Sequence, residues 1–207
     1  MSSLAKNHMT PEEFLAFERE AATKHEYHDG VVVDMAGGGP AHSRLAVQLG
    51  SELWQRLKNR SCSVFNSDMK VWTGESRHYV YPDLSGLCGQ SQTRDEARDV
   101  LLNPAFIVEV LSPKTEGYDR GKKLAVYMGL PSVIEIVLVA QDEMRVDKYT
   151  RQPDDIWRFD GYSGADAVVP FVSVQCEVRL GDFYAGVELL PLVEPGLLRF
   201  SSDEPER

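Results

Sequence analysis

The sequence predicts an α/β domain: a mixed β-sheet flanked by helices, with further antiparallel strands toward the C-terminal end. Ala105 to Leu111 (AFIVEVL) is apolar apart from one glutamate, the mark of a central strand covered on both faces. A helical pattern from Asp119 to about Met128 separates it from another buried run, Val133 to Ala140, and that order predicts a parallel crossover. From Glu143 onward the chain breaks into short strand-like runs, MRVDKYTR, DIWRFDGY, VVPFVSV and EVRLG.

The remaining elements follow in order. Thr10-Pro11-Glu12-Glu13 starts a helix with a hydroxyl cap, proline at the first position and a glutamate three residues after the cap. Phe14, Leu15 and Phe17 give it an apolar face. His28-Asp29-Gly30 signals a turn and Val31-Val32-Val33 a strand, so 24–36 reads as an early strand or hairpin. Gly37-Gly38-Gly39 lacks the lysine and threonine of a phosphate-binding loop and reads as a flexible turn. A helix then runs from about His42 to Lys58, with Leu45, Leu49, Leu53 and Leu57 at four-residue spacing and Val47 and Trp54 widening the face. Ser63 to Trp72 and Tyr79 to Leu87 form a strand pair around the turn Thr73 to Ser76, and 89–103 reads as a polar loop. Ser112-Pro113 ends the central strand, Gly129 and Pro131 close the crossover helix, and Asp182 to Glu188 reads as a last helical turn. One domain is expected over 9–191, with flexible tails at 1–8 and 192–207.

Composition narrows the function. A chain of 207 residues buries roughly 70% of its unfolded surface and needs neither metal nor disulfide to fold. No 18-residue apolar run or secretory signal appears, so no membrane span is expected. Cys62, Cys88 and Cys176 fit no metal pattern and read as small buried apolar residues in a reducing cytoplasm. Trp54, Trp72 and Trp157 read as core. The net charge of −10 lacks the basic balance of a general nucleic-acid binder, but it suits a cluster of acids that wants a cation.

Two acids stand out. Asp83 follows Pro82 within YVYPDLSGL, and Glu109 lies inside AFIVEVL. A lone carboxylate in a buried strand costs several kcal/mol unless it is paired, protonated or bound to a metal. Carboxylates from neighbouring strands are how a hard divalent cation is held against a phosphodiester; the alternative is a strand-end acid bonded to loop amides. Positions 119, 123 and 127 share a helical face, so Lys123 could reach the carboxyl end of the Glu109 strand and act on water or phosphate, or else remain a solvated lysine.

Lys24-His25-Glu26-Tyr27-His28-Asp29-Gly30, His42, Pro82-Asp83, Glu109-Val110-Leu111-Ser112-Pro113-Lys114-Thr115, Asp119-Arg120-Gly121-Lys122-Lys123 and Tyr127 occur in this order. With PSVIEIVLVAQ, RVDKYTR, Trp157 and GDFYAGVEL, this series over roughly residues 9–189 resembles the Uma family of restriction endonucleases, formerly a domain of unknown function. The resemblance implies the restriction-endonuclease-like fold of the PD-(D/E)XK superfamily, with Asp83 and Glu109 as metal ligands and Glu26 as the acid that completes the set. The superfamily's usual lysine position is Leu111 here. The resemblance therefore implies a lysine from the following helix, Lys123 matching better than Lys122. His42 matches a frequent family histidine, with an ordinary helix-cap role equally open.

The expected activity is magnesium- or manganese-dependent hydrolysis of DNA phosphodiesters, with Asp83, Glu109 and Lys123 catalytic and His42 and Lys122 accessory. A cytoplasmic homodimer is expected, since cutting both strands is simplest with two sites. The rivals are a non-catalytic nuclease-like scaffold and a hydrolase of small phosphorylated molecules.

Overall fold

The first hairpin already shows local sequence dictating backbone. In the computed structural model, which describes residues 8–35 and 37–189, β1 (His25–His28) and β2 (Val31–Asp34) are joined by Asp29 and Gly30 at φ 43° and 97°. Asp-Gly is a favoured pair for that left-handed turn. The tails expected at 1–8 and 192–207 lie, His8 aside, outside the described residues. Helix α1 (Pro11–Glu20) has the expected capping box, Thr10 accepting from the Glu13 amide and Glu13 from the Thr10 amide.

The long strand pair is divided. Its first arm splits into β3 (Cys62–Asn66) and β4 (Lys70–Trp72), its second into β5 (His78–Val80) and β6 (Leu84–Cys88). β4 pairs with β5 and β3 with β6, but in different sheets. The break in the second arm falls at Tyr81-Pro82-Asp83, where Pro82 has no N–H to offer a ladder. The 89–103 segment is not all loop, because β7 (Val100–Leu101) adds to β4 in parallel.

After β8 (Phe106–Leu111) come β9 (Glu135–Ala140), β10 (Arg145–Arg151), β11 (Trp157–Ser163), β12 (Val168–Phe171) and β13 (Cys176–Arg179). One sheet has five strands in the order β2-β1-β5-β4-β7, and the other has six in the order β11-β10-β9-β8-β6-β3. β12 and β13 form a separate hairpin. β8 and β9 run parallel, as the crossover predicts, and all their residues are buried.

Side-chain alternation along β8 allots its two faces. Phe106, Val108 and Val110 pack with Leu45, Leu49, Leu53 and Leu57 of α2 (Pro40–Leu57), beneath β12, β13 and α5 (Leu180–Phe183). Ile107 and Leu111 face the other way, onto Leu124 and Tyr127 of the crossover helix. Glu109 shares that second face. α5 starts earlier than the last helical turn expected at Asp182.

The crossover helix begins before Asp119. α3 (Glu116–Tyr118) runs into a π-helical turn (Asp119–Lys123) and then α4 (Leu124–Met128). Two further expectations are corrected. Val47 and Trp54 do not widen the α2 core face: they are 67% and 57% exposed, with Lys58 over the Trp54 ring. Trp72 and Trp157 are half-buried against the cores. Nor are the cysteines three buried thiols. The β3–β6 register sets Cys62 opposite Cys88, they form a disulfide, and Cys88 is exposed, leaving Cys176 free and half-buried. Pairing between residues 26 positions apart depends on strand register, which spacing along the chain does not reveal. No helix among the described residues is long and apolar enough to cross a membrane.

Candidate active site

β6 and β8 pair Leu84 with Val108, so one step further Asp83 stands across from Glu109. Because Pro82 ends the ladder there, the Val110 amide donates to Asp83 Oδ2 (2.7 Å) where a strand partner would otherwise sit. His42, in the first turn of α2, places Nε2 3.2 Å from the same oxygen. Glu109, 4% exposed, receives the Tyr127 hydroxyl on Oε1 (2.5 Å), and Lys123 Nζ lies 2.9 Å from that oxygen. Lys123 also reaches Glu26 Oε1 (3.2 Å) on β1, so one ammonium joins the two sheets.

These side chains line one half-open cavity of about 210 Å3. Glu26, Asp34, Asp83, Glu109, Asp119, His42 and Lys123 supply its charge, while Val33, Met35, Tyr81, Val110 and Tyr118 supply apolar wall. Lys122, the alternative lysine, is exposed and does not line it, whereas Lys123 is 6% exposed. Leu111, where the resemblance would place a lysine, is 2% exposed in the apolar core.

The acids feel one another. Burial, only partly offset by Lys123, pushes the Glu109 carboxyl up to about 8, and the Asp83 and Asp119 carboxylates add to the rise. Burial would lower the Lys123 ammonium, but Glu109 and Glu26 more than reverse that and hold it charged. These two groups titrate together. Two donors meeting on Glu109 Oε1 favour the ammonium–carboxylate form. Burial would likewise raise Glu26, yet Lys123 and His28 bring it down to about 2. Burial raises Asp119, against a hydrogen bond from Thr115. The hydrogen bond with Asp83 raises His42 above its usual value, burial opposing.

Asp119, Tyr118 and Tyr127 belong to the site although sequence reasoning gave them no role in it. The Tyr118 hydroxyl lies 3.1 Å from His28 Nε2, which lies 3.1 Å from Glu26 Oε2. The signal for Asp119 and Tyr127 was their spacing with Lys123. Tyr118 had none, because an uninterrupted helix does not forecast a π turn. Gly38, read as a flexible turn, has another role: a Cβ there would lie 2.5 Å from the His42 ring, so the loop needs glycine for close approach.

Among the described residues no three His, Cys, Asp or Glu side chains stand ready as a metal cage. A magnesium-type ion does not demand one, since one or two carboxylates plus waters and substrate phosphate commonly suffice. Asp83 and Glu109 fit that requirement. Each has its recorded donors on a single oxygen, and both sit among carboxylates whose mutual repulsion a divalent cation would relieve.

Comparison with known proteins agrees with this architecture. A family model, Uma2, described as "Putative restriction endonuclease", matches residues 11–180. The uncharacterized protein slr1290 of Synechocystis sp. (strain ATCC 27184 / PCC 6803 / Kazusa) is 34% identical over 158 residues, 76% of this chain and 82% of its own. The uncharacterized protein sll1609 of the same organism is 31% identical over 163 residues, 79% of this chain and 92% of its own. A crystal structure of "a putative nuclease belonging to DUF820" from Anabaena variabilis ATCC 29413 matches with a TM-score of 0.71. It covers 87% of this chain and 99% of that one at 22% identity, a likeness of fold.

Proposed function

The chain belongs to the Uma2 family of restriction-endonuclease-like proteins, and from that premise we propose that it is a metal-dependent endonuclease cutting phosphodiester bonds in DNA. The observation that carries this reading is the meeting of Asp83, Glu109 and Lys123 in one half-open cavity. Asp83 and Glu109 would hold Mg2+ or Mn2+, the ion lowering the pKa of an attacking water and polarising the phosphate.

The chain's own groups do the rest. Tyr127 and Lys123 fix one oxygen of Glu109, which leaves the other without a donor among the described residues. The Val110 amide and His42 do the same for Asp83. Lys123 carries the positive charge that would orient water and offset charge gathering on the phosphorus oxygens. Val33, Met35 and Tyr118 supply an apolar wall beside these groups.

One domain over 9–191, acting in the cytoplasm as a two-fold dimer, completes the proposal. The Cys62–Cys88 disulfide is the feature that a reducing compartment would open. Thiol titration of protein isolated under alkylation reports its state there.

The experiment is calorimetric titration of Mg2+ and Mn2+ into wild type, Asp83→Ala and Glu109→Ala, with plasmid cleavage in parallel. Binding and nicking should vanish together in both variants. Metal binding without cleavage of DNA or RNA would shift the reading to a small phosphorylated substrate, in keeping with the modest cavity. A wild type that binds neither ion at millimolar concentration leaves a non-catalytic scaffold.

A further inference from the structure

The three acids that the resemblance groups together as ligands are not engaged alike. Asp83 accepts from the Val110 amide and His42, both on Oδ2. Glu109 is met by Tyr127 and Lys123, both on Oε1. Each thus keeps an oxygen on which no donor is recorded among the described residues. Glu26 keeps none: Oε1 is met by Lys123 (3.2 Å) and the Tyr81 amide (3.3 Å), and Oε2 by His28 (3.1 Å). Three of a carboxylate's roughly four acceptor positions are then filled.

The Lys123 ammonium contacts both Glu26 and Glu109, so the difference between the acids lies in the oxygen that, among the described residues, Glu109 keeps free and Glu26 does not. The scaffold separates them too. Asp83 and Glu109 lie side by side at one edge of the β6–β8 pairing in the six-stranded sheet, whereas Glu26 comes from β1 in the other sheet. There it is steadied by His28, whose other ring nitrogen lies 2.9 Å from Nδ1 of His78 and which also meets the Tyr118 hydroxyl.

We propose that Glu26 is not a ligand of the metal but a positioning residue, the fixed counter-charge that holds Lys123 against Glu109, with His28 bracing it from behind. This rests on the metal-nuclease reading of the site and assigns a division of labour within it. Asp83 and Glu109 take the ion, and Glu26 acts only through the lysine.

The test is Mn2+ affinity together with plasmid cleavage for wild type, Glu26→Gln, Lys123→Gln, the double variant and Glu109→Gln. Glu109→Gln should weaken Mn2+ binding by about tenfold or more, and Glu26→Gln by clearly less. Cleavage by Glu26→Gln should fall toward that of Lys123→Gln, and the double variant should cleave no worse than Lys123→Gln alone, the non-additivity of groups acting as one unit. A double variant that loses Mn2+ affinity beyond Lys123→Gln would make Glu26 a ligand and overturn the assignment. A wild type that binds no Mn2+ overturns the metal reading and the assignment with it, whereas a wild type that binds and cuts beside an additive double variant overturns the assignment alone. If Glu26→Gln does not fold, as judged by near-ultraviolet circular dichroism, Glu26→Ala carries the same comparison, since it too removes the charge.

Discussion

Lys123 and Tyr127, four residues apart on the crossover helix, converge on the same carboxylate oxygen, Oε1 of Glu109. The helix thus delivers a charge and a neutral donor to an acid buried in the middle of β8. The sheet supplies the carboxylate, and the helix makes its ionised form tolerable.

Replacing Tyr127 with Phe keeps the packing and removes the hydroxyl. A hydrogen bond to a charged group is worth about 1.5–3 kcal/mol, so Tyr127→Phe should unfold more easily by that order. Urea denaturation measures it. An unchanged midpoint would mean that Glu109 does not depend on this donor.

Lysines 122 and 123 should differ sharply despite being neighbours. Lys123→Met leaves Glu26 and Glu109 buried without their cation, a loss of about 3–5 kcal/mol. Lys122→Ala, at an exposed position, should stay within about 0.5 kcal/mol of wild type. Parallel unfolding curves decide this, and similar losses in the two variants would contradict the buried placement.

Gly38→Ala should act at a distance from its own backbone. The added Cβ would strike the His42 imidazole and drive it away from Asp83. The His42 titration followed by NMR should then move down toward the usual value near about 6.5, because its main raising influence is lost. An unmoved His42 titration would show that the loop yields instead.

A separate cluster should shape the acid limb of stability. Arg19, against partial burial and with help from Lys70, holds the Asp99 carboxyl well below the usual carboxylate range. Its folded pKa is depressed, so the stabilisation is complete above the unfolded value near about 3.9 and is lost as pH falls below it. The stability gap between wild type and Asp99→Asn should therefore narrow from about pH 5 downward. A gap that stays constant with pH would assign the contribution to packing instead.

What the sequence revealed follows from the range of each signal. β8, β9 and their parallel crossover were legible because burial on both faces imprints a continuous apolar run. Glu109 was conspicuous because it interrupts that run. Lys123 and Tyr127 were tied to it by helical spacing. The division of the long hairpin between two sheets was not legible, since each arm looks locally like an unbroken strand. Cys62 and Cys88 became partners only through that pairing. Trp54 misled because an apolar ring near a leucine stripe need not face inward, and here its partner is the ammonium of Lys58.

The hairpin that changes sheets gives the cavity a mechanical character. One chain crosses from β5 to β6 through Tyr81, Pro82 and Asp83, and Lys123 ties the same two layers together from the side. Tilting one layer against the other would swing Asp83 and stretch the lysine clasp in the same motion. The distance from Glu26 to Glu109 thus follows the angle between the two sheets. Any twist of the two sheets against each other would therefore act on Glu26, Lys123 and Glu109 together.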